Sequence, residues 1–418
     1  RVMPMIEGWK ETTLGEVADK IGMGPFGSNI RVDTFVNEGI PVISGTHLNG
    51  LRLEDKAFNF ISMEHAERLK TSNVYPGDVI FTHAGNIGQV AYIPQNSHYE
   101  RYVLSQRQFY LRCNSNELLP EFITYYFKTR EGQHKLLANA NQTGVPSIAQ
   151  PVTYLKSISV LLPPLPEQRA IAAVLLSFDD KIELLRRQNK TLEAIAQAIF
   201  KEWFVKFKVK GEQLKLNPKT GLPEGWKLGR IKDCGEIVCG KTPPKAINEY
   251  FGGSIPFIKI PDMHNEMFIV KTEDSLTEEG SDFQRNKFIP ANSVCVSCIA
   301  TVGLVSITSQ KSQTNQQINT IIPNSDEYLE YLYFVLKNMT NDLIAIGSGG
   351  SATLNINTGV FSDIEIVLPS DDILKSYHST VEPLFVKVLS NMIQIQTLSK
   401  LRDTLLPKLM KGEIRVKL

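Results

Sequence analysis

The chain carries one sequence pattern twice, and this duplication constrains the fold more than any other feature. The motif EGWK occurs at residues 7–10 and again at 224–227, and GIPVISG at 39–45 is echoed by SIPFIKI at 254–260. The same order continues through NIGQV and TVGLV and then VLLPP and IVLPS, while the separation falls from 217 to 206 residues. A repeat of about half the chain is typical of two tandem domains rather than of a solenoid.

Each copy shows the same order of predicted elements. Short β-branched runs separated by Gly and Pro predict strands, and a short helical stretch, a glycine-bearing loop, one last strand and a long helix follow them. The predicted fold class is therefore α+β, with two mixed α/β domains and two long helices. The expected boundaries are residues 1–163 for domain 1, 164–207 for the central helix, 208–223 for a linker, 224–369 for domain 2 and 370–412 for the C-terminal helix.

Both long helices carry apolar residues spaced alternately by four and three, which is the heptad seam of a coiled coil. Copies related by a two-fold axis would pair these helices antiparallel. Pro383 is expected to kink or delay the second helix, because proline lacks the N–H that a helix interior uses. Asn189 fills the one gap in the first seam, and the predicted seam residues are Ile171, Leu175, Phe178, Ile182, Leu185, Leu192, Ile199, Tyr377, Val381, Leu384, Val388, Ile395, Leu398, Leu405 and Leu409.

Composition narrows the class of protein without identifying it. Lys and Arg total 45 against 44 Asp and Glu, a net charge of +1, so any nucleic-acid binding must use local patches. Five cysteines, an odd number, fit a reducing compartment better than a disulfide framework. The start RVMPMIEGWKE lacks an apolar core of signal-peptide length, and no apolar run is long enough to span a bilayer. We therefore expect a soluble, cytoplasmic protein.

Two stretches have the form of catalytic motifs. GEIVCGKT at residues 235–242 matches a phosphate-binding loop, but such a loop needs a helix opening at the lysine, and Pro243 and Pro244 follow at once. The segment from Glu54 to Lys56 has the E-x-K form of some nucleases but lacks an acidic motif upstream. A nucleotide-hydrolysing enzyme or nuclease using Lys241 or Glu54 remains an alternative, as does a coiled-coil scaffold with no DNA role. The preferred prediction is a chain with no catalytic residue.

The cysteines offer a possible metal site. Cys295 and Cys298 form a C-x-x-C pair that Cys234 and Cys239 could complete as four thiolate ligands for zinc. The counterpart of this pair in the first copy is IFTH, which favours cysteines buried in a strand. No metal site is therefore predicted.

Polar loops in both copies suit the recognition of DNA. The loops GPFGSNIR and GKTPPK precede the amide-rich segments SQRQF and TNQQIN, and Arg pairs with guanine while Asn and Gln pair with adenine. Glycine-bearing loops (NQTGVPS and GSGGSAT) allow close approach to phosphates. The candidate DNA-binding residues are Ser28, Asn29, Arg31, Asn86, Gln106, Arg107, Gln108, Thr143, Lys241, Thr242, Lys245, Lys259, Asn315, Gln316, Gln317, Ser348 and Ser351.

The stretch LPPLPEQRAIAAVL, the following helix, the repeated Gly-Trp-Lys and the duplication together resemble a known family. It is that of the DNA-specificity subunits of type I restriction-modification systems, and the resemblance covers essentially the whole chain. In the second copy PSDDIL stands where PPLPEQ stands in the first, which departs from the family pattern.

The resemblance implies a function for each part of the chain. Two target-recognition domains would each read one half of a split, asymmetric double-stranded DNA sequence, and the antiparallel helices would set the spacer. The helices would also dock two modification (methyltransferase) subunits, with Arg186 and Arg187 on the outer face. Those partners would bind S-adenosylmethionine and methylate adenine, and restriction subunits would add translocation and cleavage driven by ATP with Mg²⁺. This chain would itself bind no cofactor.

Overall fold

The computed structural model describes residues 7–27, 29–141, 143–349 and 353–417, which fold as two compact units. Unit 1 lies within residues 1–180 and 400–418, and unit 2 spans Lys181–Ser399. Among the described residues, no helix combines the length and the apolar character needed to cross a membrane.

Unit 1 contains twelve strands among its described residues, and most belong to two four-stranded sheets. The strands are β1 Lys10–Thr13, β2 Ala18–Met23, β3 Ile40–Ile43, β4 Asn59–Ile61, β5 Asn73–Val74, β6 Asp78–Thr82, β7 Val90–Tyr92, β8 Tyr102–Leu104, β9 Gln108–Cys113, β10 Ala140–Asn141, β11 Ser147–Ile148 and β12 Ser159–Leu162. One sheet is antiparallel in the order β2-β9-β6-β7, and the other has the order β4-β3-β8-β5 with β3 and β8 parallel. β1 pairs with β12, so the first and last strands of the domain close on each other.

Most helices of unit 1 cover one face of its antiparallel sheet, whereas the first packs against the other sheet through Ala66. The helices are α1 Met63–Arg68, α2 Pro120–Lys128, α3 Arg130–Leu137, α4 Pro151–Ser157 and the start of α5, Leu165–Phe200. Side chains alternate along β6, so that Val79 and Phe81 pack with α2 while Ile80 joins a separate apolar cluster. The Phe81 ring lies 5.2 Å from the ring of Phe127. Burial on both faces explains why β6 is apolar at successive positions instead of at every second one.

Unit 2 repeats this topology. Its strands are β13 Lys208–Val209, β14 Glu212–Gln213, β15 Lys227–Arg230, β16 Gly235–Cys239, β17 Phe251–Ile258, β18 Phe268–Ile269, β19 Asp274–Leu276, β20 Val294–Ser297, β21 Val305–Thr308, β22 Gln313–Thr314, β23 Ile318–Pro323 and β24 Glu365–Leu368. β15 pairs with β24 as β1 does with β12, and the order β16-β23-β20-β21 matches β2-β9-β6-β7. β17 and β22 are parallel, as β3 and β8 are. The predicted α+β duplication is confirmed.

The helices of unit 2 follow largely the same order as those of unit 1. They are α6 Ile231–Cys234, α7 Glu278–Asp282, α8 Leu329–Asn338, α9 Thr340–Gly347, α10 Thr358–Ser362 and α11 Asp371–Met410. The two units also contain short elements that the sequence did not predict. The short helices α4 and α10 lie where only a loop was expected, and residues 208–213 form a hairpin. The expectation for Pro383 was wrong in part, because α11 begins twelve residues before it and continues past it.

The two long helices run antiparallel within each unit. In unit 1, Arg402 contacts Asp179, and Arg415 contacts Glu167. In unit 2, Asn391 donates a hydrogen bond to Asn189 over 2.8 Å, and the Phe200 and Tyr377 rings lie 6.4 Å apart. In both units, residues later in α5 face residues earlier in α11. Every predicted seam residue is buried or half-buried.

The contact of Asn189 with Asn391 places a polar pair inside an otherwise apolar seam. Asn391 is fully buried, and its side-chain amide group meets the side-chain oxygen of Asn189. A buried polar pair in a coiled coil lowers stability but penalises every register that leaves an amide group unpaired. The gap that Asn189 left in the first seam is thus filled by a polar contact with the second helix.

The motif PEQ anchors α5 to the first domain. Glu167 is buried and accepts hydrogen bonds from Trp9 Nε1 over 3.1 Å and from Arg415 Nη2 over 2.9 Å. The Gln168 side chain accepts the backbone N–H of Leu119 and donates to the backbone oxygen of Glu117. Both side chains are therefore hydrogen-bonding partners in the interior, which accounts for a polar pair at the start of an apolar helix.

A different buried carboxylate serves the second domain. Asp371 and Asp372, which begin α11, are exposed. Seven residues after the start of α11, His378 Nδ1 lies 2.8 Å from Oε2 of the buried Glu330 on α8. This contact joins α11 to α8. Although PSDDIL replaces PPLPEQ in the second copy, the second long helix is still held to its domain, by a residue farther from the start of the helix.

The contact of His378 with Glu330 makes stability depend on pH. Burial lowers the pKa of His378, but the hydrogen bond and charge of Glu330 outweigh burial, and the net pKa lies above its ordinary 6.5. The stabilisation is complete below about pH 6.5 and is lost as the pH rises through the raised pKa. We expect the urea midpoint of the full chain to fall over that range and the His378→Gln variant to show a flatter profile. Equal slopes in the two proteins would contradict this prediction.

Candidate nucleic-acid interface

In unit 1 the structure brings together the two polar segments predicted to bind DNA. The backbone N–H of Gly24 donates to the Gln108 carbonyl over 2.8 Å, and a Cβ at residue 24 would lie 1.9 Å from the Ser105 oxygen. Only glycine permits this approach. The Gln106 side chain donates to the backbone oxygens of Gly27 and Ile30. We call residues 24–27, 29–31 and 105–107 the first loop–turn surface.

Unit 2 builds the same surface from equivalent residues. The backbone N–H of Gly240 donates to the Ile318 carbonyl over 3.1 Å, and a Cβ at residue 240 would lie 2.2 Å from the Asn315 oxygen. The Thr242 hydroxyl donates to Oε1 of Gln316 over 2.5 Å. Residues 240–245 and 315–317 form the second loop–turn surface.

An open cleft of about 1060 Å³ adjoins the first loop–turn surface. Its lining includes Phe26 and Asn29 from the loop, Lys20 from β2, and His65 and Arg68 from α1. The cleft therefore combines three basic side chains with an aromatic ring that is 74% exposed. Lys20, His65 and Arg68 were missed from the sequence, because nothing near them in the chain marks them as neighbours of the loop.

Aromatic rings and lysines are also paired beside the second loop–turn surface. Lys241 Nζ lies 4.9 Å from the ring centroid of Phe283, which follows α7 and is 46% exposed. The ring of Tyr250 lies 5.8 Å from that of Phe283. Farther along, Lys311 Nζ lies 3.9 Å above the ring of Phe288. Cations over aromatic faces attract the ring quadrupole, so these contacts hold the rings and charges together.

Most predicted DNA-binding residues are exposed or half-exposed, but two of them are buried, and the prediction that they face DNA was wrong. Gln108 is 1% exposed, and its side chain accepts the Ser105 hydroxyl; Asn315 is 7% exposed and bonds Gln317. Their amides support the turns and do not face solvent. Lys259 is ion-paired with Asp274 at 2.7 Å. Solvent-facing members are Asn29, Arg31, Asn86, Gln106, Arg107, Thr143, Lys241, Thr242, Lys245, Gln316, Gln317 and Ser348, while Ser28 and Ser351 lie outside the described residues.

The alternative chemical sites do not assemble. No helix opens at Lys241, and Glu54 is ion-paired with Lys56 at 2.6 Å. Cys295 and Cys298 are both buried but belong to different apolar clusters, and burial raises the pKa of Cys295 to about 12 and that of Cys298 to about 11. In the part of the chain that the structure describes, no three His, Cys, Asp or Glu side chains are grouped as metal ligands.

Comparison with known proteins agrees with this duplicated arrangement. The family model for the type I restriction modification DNA specificity domain matches residues 6–194 and again residues 223–401. The chain belongs to this family. One relative, the type I restriction enzyme HindI specificity subunit of Haemophilus influenzae, is 35% identical, and the match covers 97% of this chain and 99% of the relative.

More distant members of the specificity family match most or all of the chain. The MjaIX specificity subunit of Methanocaldococcus jannaschii is 28% identical over 84% of this chain and 81% of its own. The crystal structure of a type I restriction-modification S subunit from M. genitalium is 16% identical, covers 100% of this chain and 99% of its own, and gives a TM-score of 0.62. The duplicated fold is thus common to this chain and a solved S subunit.

Proposed function

We propose that the two loop–turn surfaces read the two halves of a split DNA target. The observation that carries this proposal is a shared scaffold with different displayed side chains. Gly24 and Gly240 pack against equivalent turns, and each position excludes a Cβ. On that common frame unit 1 displays Gln106 and Arg107 where unit 2 displays Gln316 and Gln317. Arg favours guanine and Gln favours adenine in the major groove, so the two surfaces suit different sequences.

The net charge supports a role within a larger complex. A net charge of +1 offers little attraction to phosphates overall, so binding by this chain alone should be weak and sensitive to salt. Partner subunits would then supply further phosphate contacts. We propose that these partners are two modification subunits, which bind S-adenosylmethionine and methylate adenine, and that restriction subunits add ATP- and Mg²⁺-dependent translocation and cleavage. In this division of labour the present chain contributes recognition and its partners contribute catalysis.

We place the docking of the modification subunits on the outer faces of α5 and α11. Within unit 2, Leu184 and Ile195 of α5 are exposed on one helical face, because eleven residues span three turns. Val386 and Ile393 are likewise exposed on one face of α11. Arg187, which is also exposed, adds charge beside the first stripe. Apolar residues with charged neighbours on long helices suit contact with partner helices.

The deciding experiment exchanges one recognition domain at a time. Residues 10–163 are replaced by the aligned segment of the HindI relative, the chain is co-purified with its modification subunit, and methylated adenines are mapped by sequencing. We expect one half of the methylated motif to change while the other half and the spacer stay constant. The matched control replaces residues 227–368 and should change only the other half.

Two results would contradict the proposed function. A methylated motif that survives both exchanges would show that sequence is read elsewhere. A complex that assembles but binds no duplex in a sequence-dependent way would favour a scaffold without a DNA role.

A further inference from the structure

We propose that Phe26 and Phe283 enter the base stack of bound DNA, one beside each half-site, while a neighbouring cation in each unit holds the backbone. This inference rests on the proposed function and deepens it. Base reading through Gln and Arg would differ between the units, whereas this stack-opening contact would be common to both.

Phe26 is displayed by a turn that is fixed on both sides. Gly24 is pressed against the turn at Ser105, and Gly27 has a φ of +63°, in the left-handed region that favours glycine. Asn29 Nδ2 donates to the Phe26 carbonyl over 2.6 Å, and Gln106 holds the carbonyl of Gly27. The backbone of the turn is therefore anchored while the ring remains 74% exposed. A large apolar ring held out by its own scaffold is suited to contact with another molecule.

Phe283 is braced beside the second loop–turn surface. The helix α7 ends at Asp282, directly before it, and Arg285 forms an ion pair with Asp282 at 2.8 Å. The Tyr250 ring supports one side at 5.8 Å, and Lys241 Nζ lies 4.9 Å from the ring centroid. The ring is nevertheless 46% exposed, so it retains a surface for a base.

Each unit has an aromatic ring and a cation near its loop–turn surface, but the loop and the helix that supply them exchange roles between the units. Ser62 caps α1 and Thr277 caps α7, and six residues after each cap stand Arg68 and Phe283. In unit 1 the helix thus supplies the cation and the loop supplies the ring of Phe26. In unit 2 the loop supplies the cation of Lys241 and the helix end supplies the ring.

This exchange preserves one aromatic ring and one cation in each unit. Phe26 and Arg68 line the same cleft, and Lys241 and Phe283 are in direct contact. A ring and a cation near the loop–turn surface of each unit suit a ligand with a flat face and a negative charge, and a nucleotide has both.

The physical role follows from what base modification demands. A base must leave the stack before a partner subunit can reach it, and unstacking costs free energy. Apolar side chains inserted between base steps lower that cost by occupying the vacated space. A cation beside the ring neutralises the phosphate that approaches it. Phe26 and Phe283 would therefore favour an opened duplex without reading its sequence.

The test uses two duplexes, each carrying 2-aminopurine at one of the two target adenines, bound by the full complex with modification subunits. Methylation is measured separately on the unlabelled duplex, because 2-aminopurine has no 6-amino group to methylate. Wild type should give strong fluorescence at both positions. Phe26→Ala should reduce fluorescence and methylation about tenfold at the half-site read by unit 1 alone, and Phe283→Ala at the other half-site alone. Phe26→Trp should retain both signals, because the flat ring is kept. Leu228→Ala is the matched control, since Leu228 is 62% exposed on β15, which pairs with β24 and belongs to neither loop–turn surface.

Each outcome decides between the alternatives. Unchanged fluorescence and methylation in both alanine variants, with specific binding intact, would overturn this inference and leave the proposed function standing. Loss of the modification subunit from the Phe26→Ala complex would assign the ring to a protein contact. Failure of the wild-type complex to bind its target would instead overturn the proposed function and this inference together.

Discussion

Replacing Phe200 with alanine should lower the free energy of unfolding by about 3–5 kcal/mol. Phe200 ends α5, is buried in unit 2, and its ring lies 5.2 Å from Phe204, 5.6 Å from Phe334 and 6.4 Å from Tyr377. Removing the ring forfeits its burial and leaves a cavity that neighbouring rings in fixed rotamers cannot fill. Urea denaturation of the full chain, followed by tyrosine and tryptophan fluorescence, measures the loss.

A matched control lies on the same helix. Ile195 is exposed on α5, so Ile195→Ala should change the free energy of unfolding by less than about 1 kcal/mol. A loss below about 1 kcal/mol for Phe200→Ala would mean that this aromatic cluster is not packed as described.

Replacing Glu167 with alanine should cost about 2–4 kcal/mol, because it leaves buried donors without an acceptor. The carboxylate accepts from Trp9 Nε1 and from two nitrogens of Arg415, and it is almost fully buried. The upper end of the range for buried pairs is not expected, since Arg415 is half-exposed and can recover water. Thermal denaturation, together with hydrogen exchange of β1, would measure the effect.

Two further variants separate charge from hydrogen bonding at this anchor. Glu167→Gln keeps an acceptor for Trp9 and should recover part of the loss. Arg187→Ala removes a solvent-exposed ion pair with Glu183 at 3.8 Å and should cost less than about 0.5 kcal/mol. If Glu167→Ala proved as mild as Arg187→Ala, the role of the PEQ motif as an anchor would be contradicted.

The contacts that hold the long helices to their domains differ between the two units, whereas the glycine contacts of the loop–turn surfaces are the same in both. Glu167 in the first copy and Glu330 in the second both join a long helix to its domain, yet they come from different elements. Gly24 and Gly240, in contrast, occupy the same place in both units. A helix can be fastened at several points along its length, whereas a backbone contact that excludes a Cβ can be satisfied only by glycine. The two loop–turn surfaces accordingly share a backbone contact while they display different side chains.

The duplication, the α+β class and the two seams could be predicted from the amino-acid sequence. These features are local or periodic: alternation by four and three places Leu175 and Val381 on a buried stripe whatever the partner is. The sequence also indicated both loops and both amide-rich segments, because Gly, Pro and the amides mark turns by their own backbone preferences.

Which of those side chains face solvent, and which other groups lie near them, depends on how the domain packs in three dimensions. Gln106 and Gln108 are two residues apart, yet the turn leaves the first exposed while the strand β9 buries the second. Arg68 lines the same cleft as Phe26, and Phe283 contacts Lys241, although about forty residues of chain separate the two residues in each unit. Strand pairing over such separations is set by the packing of the whole domain, and the side-chain neighbours it creates leave no periodic trace in the sequence.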